Sequence, residues 1–427
     1  MKILFITYMF PPYSAIGSIR TGKTAKYLFE FGHDVNVVSC ANQSLKNNLP
    51  LEIPEHHVQY TPWINVNSPI ELILGGKKRV ARLGFLESAG HLPSLIREKG
   101  YLYRNLFNFP DGHIGWFPFA KQAGHQKIQE WKPDLIFASA SPFTSLLVAS
   151  SLSRKYNIPW IAELRDLWTD NHMQVRPSWR QFFEKPLERR VLSSACGLVT
   201  VSDPMKKILE SKYSSPCVVI TNGFDPDDRP EEPDITFSSD TVNIIYTGQI
   251  YAAEQDPSPL FKALHLMGKE REDVRVYFFG RNLSGMNPYA VEHGVNHLVE
   301  IHKSLSHRQS LSIQNQSDIL LLLNGQSAAL VGPGGKIFEY LGARRPILCI
   351  GNTEGVAADL IGKRCAGTTL NDPEKIANQL KYWIQQKKNN GNIPFLPAEV
   401  GKGFTRKEQT EKLVNFFKSC LKNPVSA

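Results

Sequence analysis

The 427-residue sequence predicts an α/β protein built from two doubly wound domains, and three observations carry that expectation. With 42% hydrophobic residues the chain is too apolar for disorder and too long for one ordinary domain, so two domains of roughly 200 residues each are expected. Apolar runs of strand length alternate with longer amphipathic segments through both halves, the pattern of parallel sheets covered by helices on both faces. The turn dipeptide Asn222-Gly223, followed by a polar, proline-rich stretch from Asp225 to Asp240, divides the two halves.

In the first half, strands are expected at Ile3 to Thr7, Val35 to Ser39, Leu135 to Ser139, Trp160 to Glu163, Gly197 to Val201 and Val218 to Ile220. Helices are expected at Ile16 to Phe31, Thr144 to Tyr156, Trp179 to Ser193 and Pro204 to Lys212. Residues Lys46 to Trp116 break the alternation and read as an insertion of loops and short helices. In the second half, strands fit Asn243 to Thr247, Val274 to Phe279, Leu298 to Ile301, Ile319 to Leu323 and Pro346 to Ile350. Helices there fit Ser258 to Lys269, Asn287 to His293, Ser306 to Ser312, Gly335 to Leu341 and Gly355 to Ile361, and helical spacing returns at Ile376, Leu380, Trp383 and Ile384 and from Phe404 to Leu421. The expected domains are 1–223, 224–403 and a C-terminal helix over 404–427 that packs back on the first. No internal repeat or low-complexity segment is present.

Composition narrows the class. The longest unbroken apolar stretches, such as Ile319 to Leu323, fall far short of the ~20 residues of a membrane-spanning helix. The opening Ile3-Leu4-Phe5-Ile6 is shorter than a signal-peptide core and runs into Pro11-Pro12, which reads as the first strand of a cytoplasmic protein. Six scattered cysteines without a C-x-x-C pair point to reduced structural thiols rather than a zinc site or a disulfide framework. The net charge of +9 lies wholly in residues 1–223, which hold 26 Lys and Arg against 17 Asp and Glu. A basic domain beside a neutral one suggests an anionic partner. The segment Ile70 to Leu86, where apolar residues flank Lys77, Lys78, Arg79 and Arg82, has the composition of an interfacial helix at an anionic bilayer. No motif of nucleic-acid recognition accompanies the charge, so nucleic acid is not expected as a partner.

Ligands of open α/β sheets sit beyond the carboxyl ends of the strands, and five loops occupy such positions. The first holds Gly17 and Arg20, where a missing side chain and the amides of a helix start favour close approach to an anion. It is not G-x-G-x-x-G, which argues against a nicotinamide enzyme. The second, Glu163-Leu164-Arg165-Asp166-Leu167-Trp168, puts charges at the end of a buried strand, a costly arrangement unless they pair with one another or bind a ligand. The third, Val331-Gly332-Pro333-Gly334-Gly335-Lys336, leads a strand into a helix whose free amides, dipole and lysine suit a diphosphate. Glu339 follows Lys336 by three residues, on the same helical face, placed to accept hydrogen bonds from ribose hydroxyls. The fourth loop contains Gly248, Gln249 and Tyr251; the fifth, containing His302, can meet a nucleobase through its backbone.

Together these pieces resemble a family 4 glycosyltransferase of the GT-B fold. The resemblance is carried by Pro11-Pro12 with Gly17, Gly32-His33-Asp34-Val35, Glu163 to Trp168, Val199 to Ser202, Thr221 to Asp225, Tyr246-Thr247-Gly248 and Lys336 to Pro346. It implies two Rossmann-like domains facing across a cleft, the first binding the acceptor and the second a nucleotide-sugar, with uridine as the base that family frequency implies. It further implies that Glu339 holds the ribose while Lys336, with the Gly332 to Gly335 amides, holds the diphosphate. Gly17 would let the first loop approach the donor phosphate, Arg165 and Asp166 would contact the transferring sugar or the acceptor, and Asp111 and His113 are further acceptor-side candidates. Similar proteins retain the anomeric configuration, need no bound metal, and act on lipid-linked saccharides in O-antigen, capsule or exopolysaccharide assembly at the inner face of the bacterial inner membrane.

Two positions depart from the family pattern. Val331 stands eight residues before Glu339, where the family often has a second glutamate, and Gln249 and Gln255 occupy the stretch where it often has Arg and Lys. Charge compensation then falls to Lys336, Arg20 or Arg281. A sugar-nucleotide epimerase of the same fold and a non-catalytic nucleotide-sugar-binding protein are the alternatives to a transferase.

Overall fold

The computed structural model describes residues 1–68, 102–103, 105–171, 176–250, 255–281, 283, 286–325 and 334–422. The basic segment Ile70 to Leu86, Tyr251 and Val331 to Pro333 lie outside the described residues. The chain folds as two compact units: 1–201 with 206–220 and 410–427, and 202–205 with 221–409.

Among the described residues the first unit contains a parallel sheet of β1 (Lys2–Thr7), β2 (Asp34–Cys40), β3 (Val58–Thr61), β4 (Leu135–Ala140), β5 (Trp160–Leu164), β6 (Gly197–Thr200) and β7 (Cys217–Val219). Their order is β3-β2-β1-β4-β5-β6-β7. Ile3, Leu4, Phe5 and Ile6 of β1 are all fully buried, as a strand covered on both faces requires. The covering helices are α1 (Ile16–Glu30), α2 (Phe117–Trp131), α3 (Thr144–Tyr156), α4 (Ser178–Leu192) and α5 (Asp203–Lys212). The second unit carries β8 (Val242–Thr247), β9 (Val274–Gly280), β10 (Val299–Lys303), β11 (Ile319–Asn324), β12 (Ile347–Gly351) and β13 (Gly367–Leu370), in the order β10-β9-β8-β11-β12-β13. Its helices are α6 (Ser258–Leu266), α7 (Met286–Glu292), α8 (His307–Gln316), α9 (Lys336–Ala343), α10 (Val356–Lys363) and α11 (Pro373–Asn390). Two Rossmann-like sheets with alternating helices are thus present, as the sequence predicts.

The C-terminal helix α12 (Arg406–Lys422) sends Leu413, Val414, Phe417 and Cys420 into the first unit's core beside Ile3, Phe5 and Phe137, with the Phe137 and Phe417 ring centroids 5.0 Å apart. All five buried cysteines and the exposed Cys365 are free thiols. No described helix is long and apolar enough to cross a membrane.

Among the described strands and α-helices, three have no counterpart in the sequence pattern. β3 lies inside the expected insertion, and only four residues at a sheet edge give too short an alternation to stand out. α2 buries mainly Ala120, Ala123, Gly124 and Ile128, small residues that leave a faint apolar stripe. β13 is a half-exposed edge strand of sequence GTTL. α8 also runs to Gln316 rather than stopping at Ser312, and a capping box of Ser306 and Gln309 fixes its start: Gln309 N donates to Ser306 Oγ at 3.1 Å, and Ser306 N to Gln309 Oε1 at 3.1 Å.

In both sheets the strand order reverses beside the unit's first strand, between β1 and β4 and between β8 and β11. Connections leave those strand pairs in opposite directions, which opens a crevice at their carboxyl ends.

Candidate active site

In the second unit, β8 ends at Thr247 and the chain turns at Gly248 with φ +118°, a conformation that side chains strain to adopt. The turn also has no room for one: a Cβ there would lie 2.5 Å from Lys336 Cε. Lys336, the first residue of α9, therefore passes directly over this glycine. Its Nζ donates to Tyr246 Oη at 2.6 Å and to the Gln249 carbonyl at 3.3 Å, and sits 4.1 Å from the Tyr246 ring centroid. Burial lowers the Lys336 pKa to about 8, against the opposing pull of Glu339. Among the described residues the direct partners of this cation are thus a phenol, a carbonyl and an aromatic face, and no carboxylate pairs with it.

Helical spacing places Lys336, Glu339 and Tyr340 on one face of α9. The Tyr340 hydroxyl donates to the Leu321 carbonyl at 3.1 Å and accepts from Thr247 N at 3.4 Å, pinning the helix to β8 and β11. Glu339 is held from α8, where His307 and Gln314 are seven residues apart and share a face. His307 Nε2 lies 3.2 Å from Glu339 Oε1, and Gln314 Nε2 donates to Glu339 Oε2 at 3.3 Å and to Thr247 Oγ1 at 3.0 Å. Burial alone would raise the Glu339 pKa, but the His307 and Gln314 hydrogen bonds and the charge of Arg406 hold it below the ordinary glutamate value. The carboxylate is thus ionised, oriented and about one-fifth exposed.

In the first unit, β5 ends in Glu163, Leu164 and Arg165. Glu163 is buried and accepts from Arg20 Nε at 3.1 Å, from Arg20 Nη2 at 2.7 Å and from the Ser139 hydroxyl. Burial would push its carboxyl up, yet Arg20 and Ser139 win and keep it low. Arg20 Nη2 also donates to the Ile220 carbonyl at 2.7 Å. Arg165 folds back on β4, its Nε donating to the Ala140 carbonyl at 3.0 Å and its Nη2 to that of Ser141. Its buried Nη1 has no hydrogen-bond partner among the described residues and is aimed at Gly17, where a Cβ would stand 2.2 Å from it. Asp166 accepts from the Ser141 hydroxyl at 3.4 Å.

Asp111 caps the start of α3, accepting from Thr144 N and Oγ1, both at 2.8 Å. His113 Nδ1 is 3.7 Å from Asp111 Oδ1, and its ring packs edge-on against Tyr8 at 4.3 Å between centroids. Burial lowers the His113 pKa more than Asp111 raises it, so the imidazole is neutral at pH 7.

The model of glycosyltransferase family 4 matches residues 19–228. The first domain belongs to glycosyltransferase family 4. Among curated proteins none matches the chain significantly in sequence. Solved structures match it end to end in fold. Anabaena Alr3699/HepE in complex with UDP shares 14% identity at a TM-score of 0.61, covering 98% of this chain and 100% of its own. Sucrose-phosphate synthase from Thermosynechococcus elongatus has 12% identity and a TM-score of 0.61, covering 99% of both chains. The lipopolysaccharide outer core galactosyltransferase WaaB has 14% identity and a TM-score of 0.55, covering 98% of this chain and 99% of its own.

The residues singled out from sequence fall into groups. In the second unit Gly248 touches Lys336, and Glu339 follows one turn along; Gly335 caps α9 and Gly334 is exposed just before it. His302 stands apart, on edge strand β10, stacked on Phe279 at 4.7 Å and 3.2 Å from Glu300 Oε2. Arg281 is exposed just beyond β9. In the first unit Gly17 and Arg165 touch, as do Asp111 and His113. Arg20, expected on the acceptor side and as compensating charge, is 2% exposed and bonds Glu163 and the Ile220 carbonyl inside the unit. Likewise Asp111 spends its carboxylate on Thr144. Tyr246, Thr247, His307 and Gln314 are not singled out from sequence as individual site residues; His307 does fall at the start of the helix expected over Ser306 to Ser312, but nothing local shows that it reaches Glu339.

Proposed function

We propose that this glycosyltransferase transfers a sugar, with retention of anomeric configuration, from a UDP-sugar to a lipid-linked saccharide in O-antigen, capsule or exopolysaccharide assembly. Its partners are the nucleotide-sugar, the lipid-linked acceptor and an anionic membrane surface met by the basic first unit, at the cytoplasmic face of a bacterial inner membrane. The observation that carries the reading is the pairing of an unneutralised Lys336 with an ionised, doubly held Glu339 on one face of a helix that starts beside Gly248. Uridine as the base is supported by HepE, whose structure contains UDP, and a saccharide acceptor of the envelope by the lipopolysaccharide galactosyltransferase WaaB.

In this reading Lys336 and the amides at Gly334 and Gly335 bind the diphosphate, and Glu339 accepts the ribose hydroxyls. The bond from the sugar C1 to the diphosphate oxygen breaks as the acceptor oxygen bonds C1, and the acceptor proton passes to the departing phosphate. Lys336 and the helix dipole stabilise the charge on the leaving diphosphate, so no metal is required of the mechanism. Arg165 Nη1 and Asp166 serve the first unit's side of the reaction as contacts to the acceptor, with Gly17 leaving Arg165 its room.

The test is thermal stability against a panel of nucleotides and nucleotide-sugars, for the native chain and for Glu339→Ala. A ligand at 100 times its Kd stabilises by about 2.7 kcal/mol. A shift with one nucleoside diphosphate that the variant loses, followed by sugar transfer to a lipid-linked acceptor from the corresponding donor, is the expected result. No shift with any nucleotide would overturn the reading, while a shift without turnover would favour a non-catalytic binder.

A further inference from the structure

Helix α4 is built inside out over its first three turns. Its buried side chains there are Arg180, Glu184 and Glu188, at positions i, i+4 and i+8, and only its last turn buries the apolar Val191 and Leu192. These charges are paired internally: Glu184 with Arg176 at 2.8 Å and with Arg180 at 2.9 Å, and Glu188 with Lys212 at 3.2 Å. The opposite face carries Trp179, Phe182 and Phe183, exposed by 40%, 74% and 58%. Phe182 and Phe183 lie edge to face, 5.4 Å apart, and so present one continuous aromatic surface. Arg180 Nη2 also donates to the carbonyls of Asn108 at 2.6 Å and Pro110 at 2.9 Å, which fixes against the helix a segment exposing Leu106 and Phe107.

Burying ions while exposing aromatics inverts the usual preference of a surface helix, so the outer face needs an apolar partner outside the unit. Its charges say which kind. Lys185, Arg189 and Arg190 are exposed on α4, and the helix's only carboxylates, Glu184 and Glu188, are on the buried side. The outer face is therefore aromatic and cationic without compensating acid. Two copies paired through it would set these cations against one another, whereas an anionic bilayer offers hydrocarbon to the rings and phosphate to the bases.

We propose that the outer face of α4, centred on Trp179, Phe182 and Phe183 and flanked by Lys185, Arg189 and Arg190, is where the first unit docks on an anionic lipid bilayer. The inference rests on the membrane partner proposed above and gives that partner a surface.

The experiment is sedimentation of the full chain with vesicles of phosphatidylcholine alone and of phosphatidylcholine with phosphatidylglycerol, at low and high salt, alongside size measurement in solution. The native chain is expected to pellet with the anionic vesicles and less so in salt. The double variant Phe182→Ser/Phe183→Ser, whose side chains are exposed, is expected to keep its melting temperature and lose about tenfold or more in partitioning. Arg189→Glu/Arg190→Glu is expected to lose at least about fivefold per charge and to flatten the salt dependence. If the native chain pellets and both variants pellet equally well, the α4 surface is wrong while the membrane partner stands. If the native chain binds no vesicle, both fall. A native dimer that the Phe variant turns into a monomer would overturn the proposal in favour of a second copy.

Discussion

The strand-end clusters of the two units use similar residues to opposite ends. In the first, Arg20 and Glu163 neutralise each other in a buried pair, and Arg165 is held by carbonyls with only Nη1 left over. In the second, Lys336 rests on Tyr246 and the Gln249 carbonyl, and the nearby Glu339 is held by His307 and Gln314 rather than by the lysine. A charge neutralised inside the fold organises structure; a charge held by neutral groups remains available to an anion. Similar ionisable residues thus pair off within one sheet's cluster and stay apart in the other's.

Breaking the internal pair should produce the largest effect. Glu163→Gln removes the carboxylate charge that faces the buried Arg20 guanidinium, which is expected to cost about 3–5 kcal/mol in chemical denaturation. If the cost is under about 1 kcal/mol, the first unit's cluster is not structural and the contrast fails. Lys336→Ala should act on the other side of the comparison: its loss is expected to weaken UDP binding by about tenfold to a hundredfold in calorimetry, the range for a hydrogen bond to a charged group, with little change in melting temperature.

Gly248→Ala joins the two kinds of effect, because the new Cβ meets Lys336 Cε at 2.5 Å and must adopt φ +118°. A stability loss of about 1–3 kcal/mol, together with weaker UDP binding, is expected from parallel denaturation and calorimetry.

The smallest effect is that of pH. Lys336 titrates at about 8, below the ordinary 10.5, so its charge fades as pH rises through 8. UDP affinity is expected to be about tenfold weaker at pH 9 than at pH 7, and Lys336→Arg should remove the difference. The folded state gives up this proton before the unfolded chain does, so the same group makes stability rise with pH between about 8 and 10.5. An affinity independent of pH across that window would show that Lys336 does not meet the phosphate.

Much of the fold was legible because its signals are local. The buried run Ile3 to Ile6, the alternation of strand and helix, and the glycines leading into Lys336 each express themselves within a few consecutive residues. Spacing alone set Lys336 and Glu339 on one face. The weak elements escaped for the converse reason: β3 and β13 are short edges, and α2 packs through alanine and glycine, so little apolar pattern marks them.

Partners are what the sequence by itself did not determine. Arg20 meets Glu163 across 143 positions, and His307 meets Glu339 across 32. Neither separation has a period to read, because strand order and helix packing, not distance along the chain, bring those groups together. Helix α4 gives the sharpest instance. Its residues spell one face with Glu184 and Glu188 and another that mixes rings with Lys185, Arg189 and Arg190; only the tertiary structure, by supplying Arg176 and Lys212 to pair with the carboxylates, turned the acidic face inward and left the rings to the surroundings.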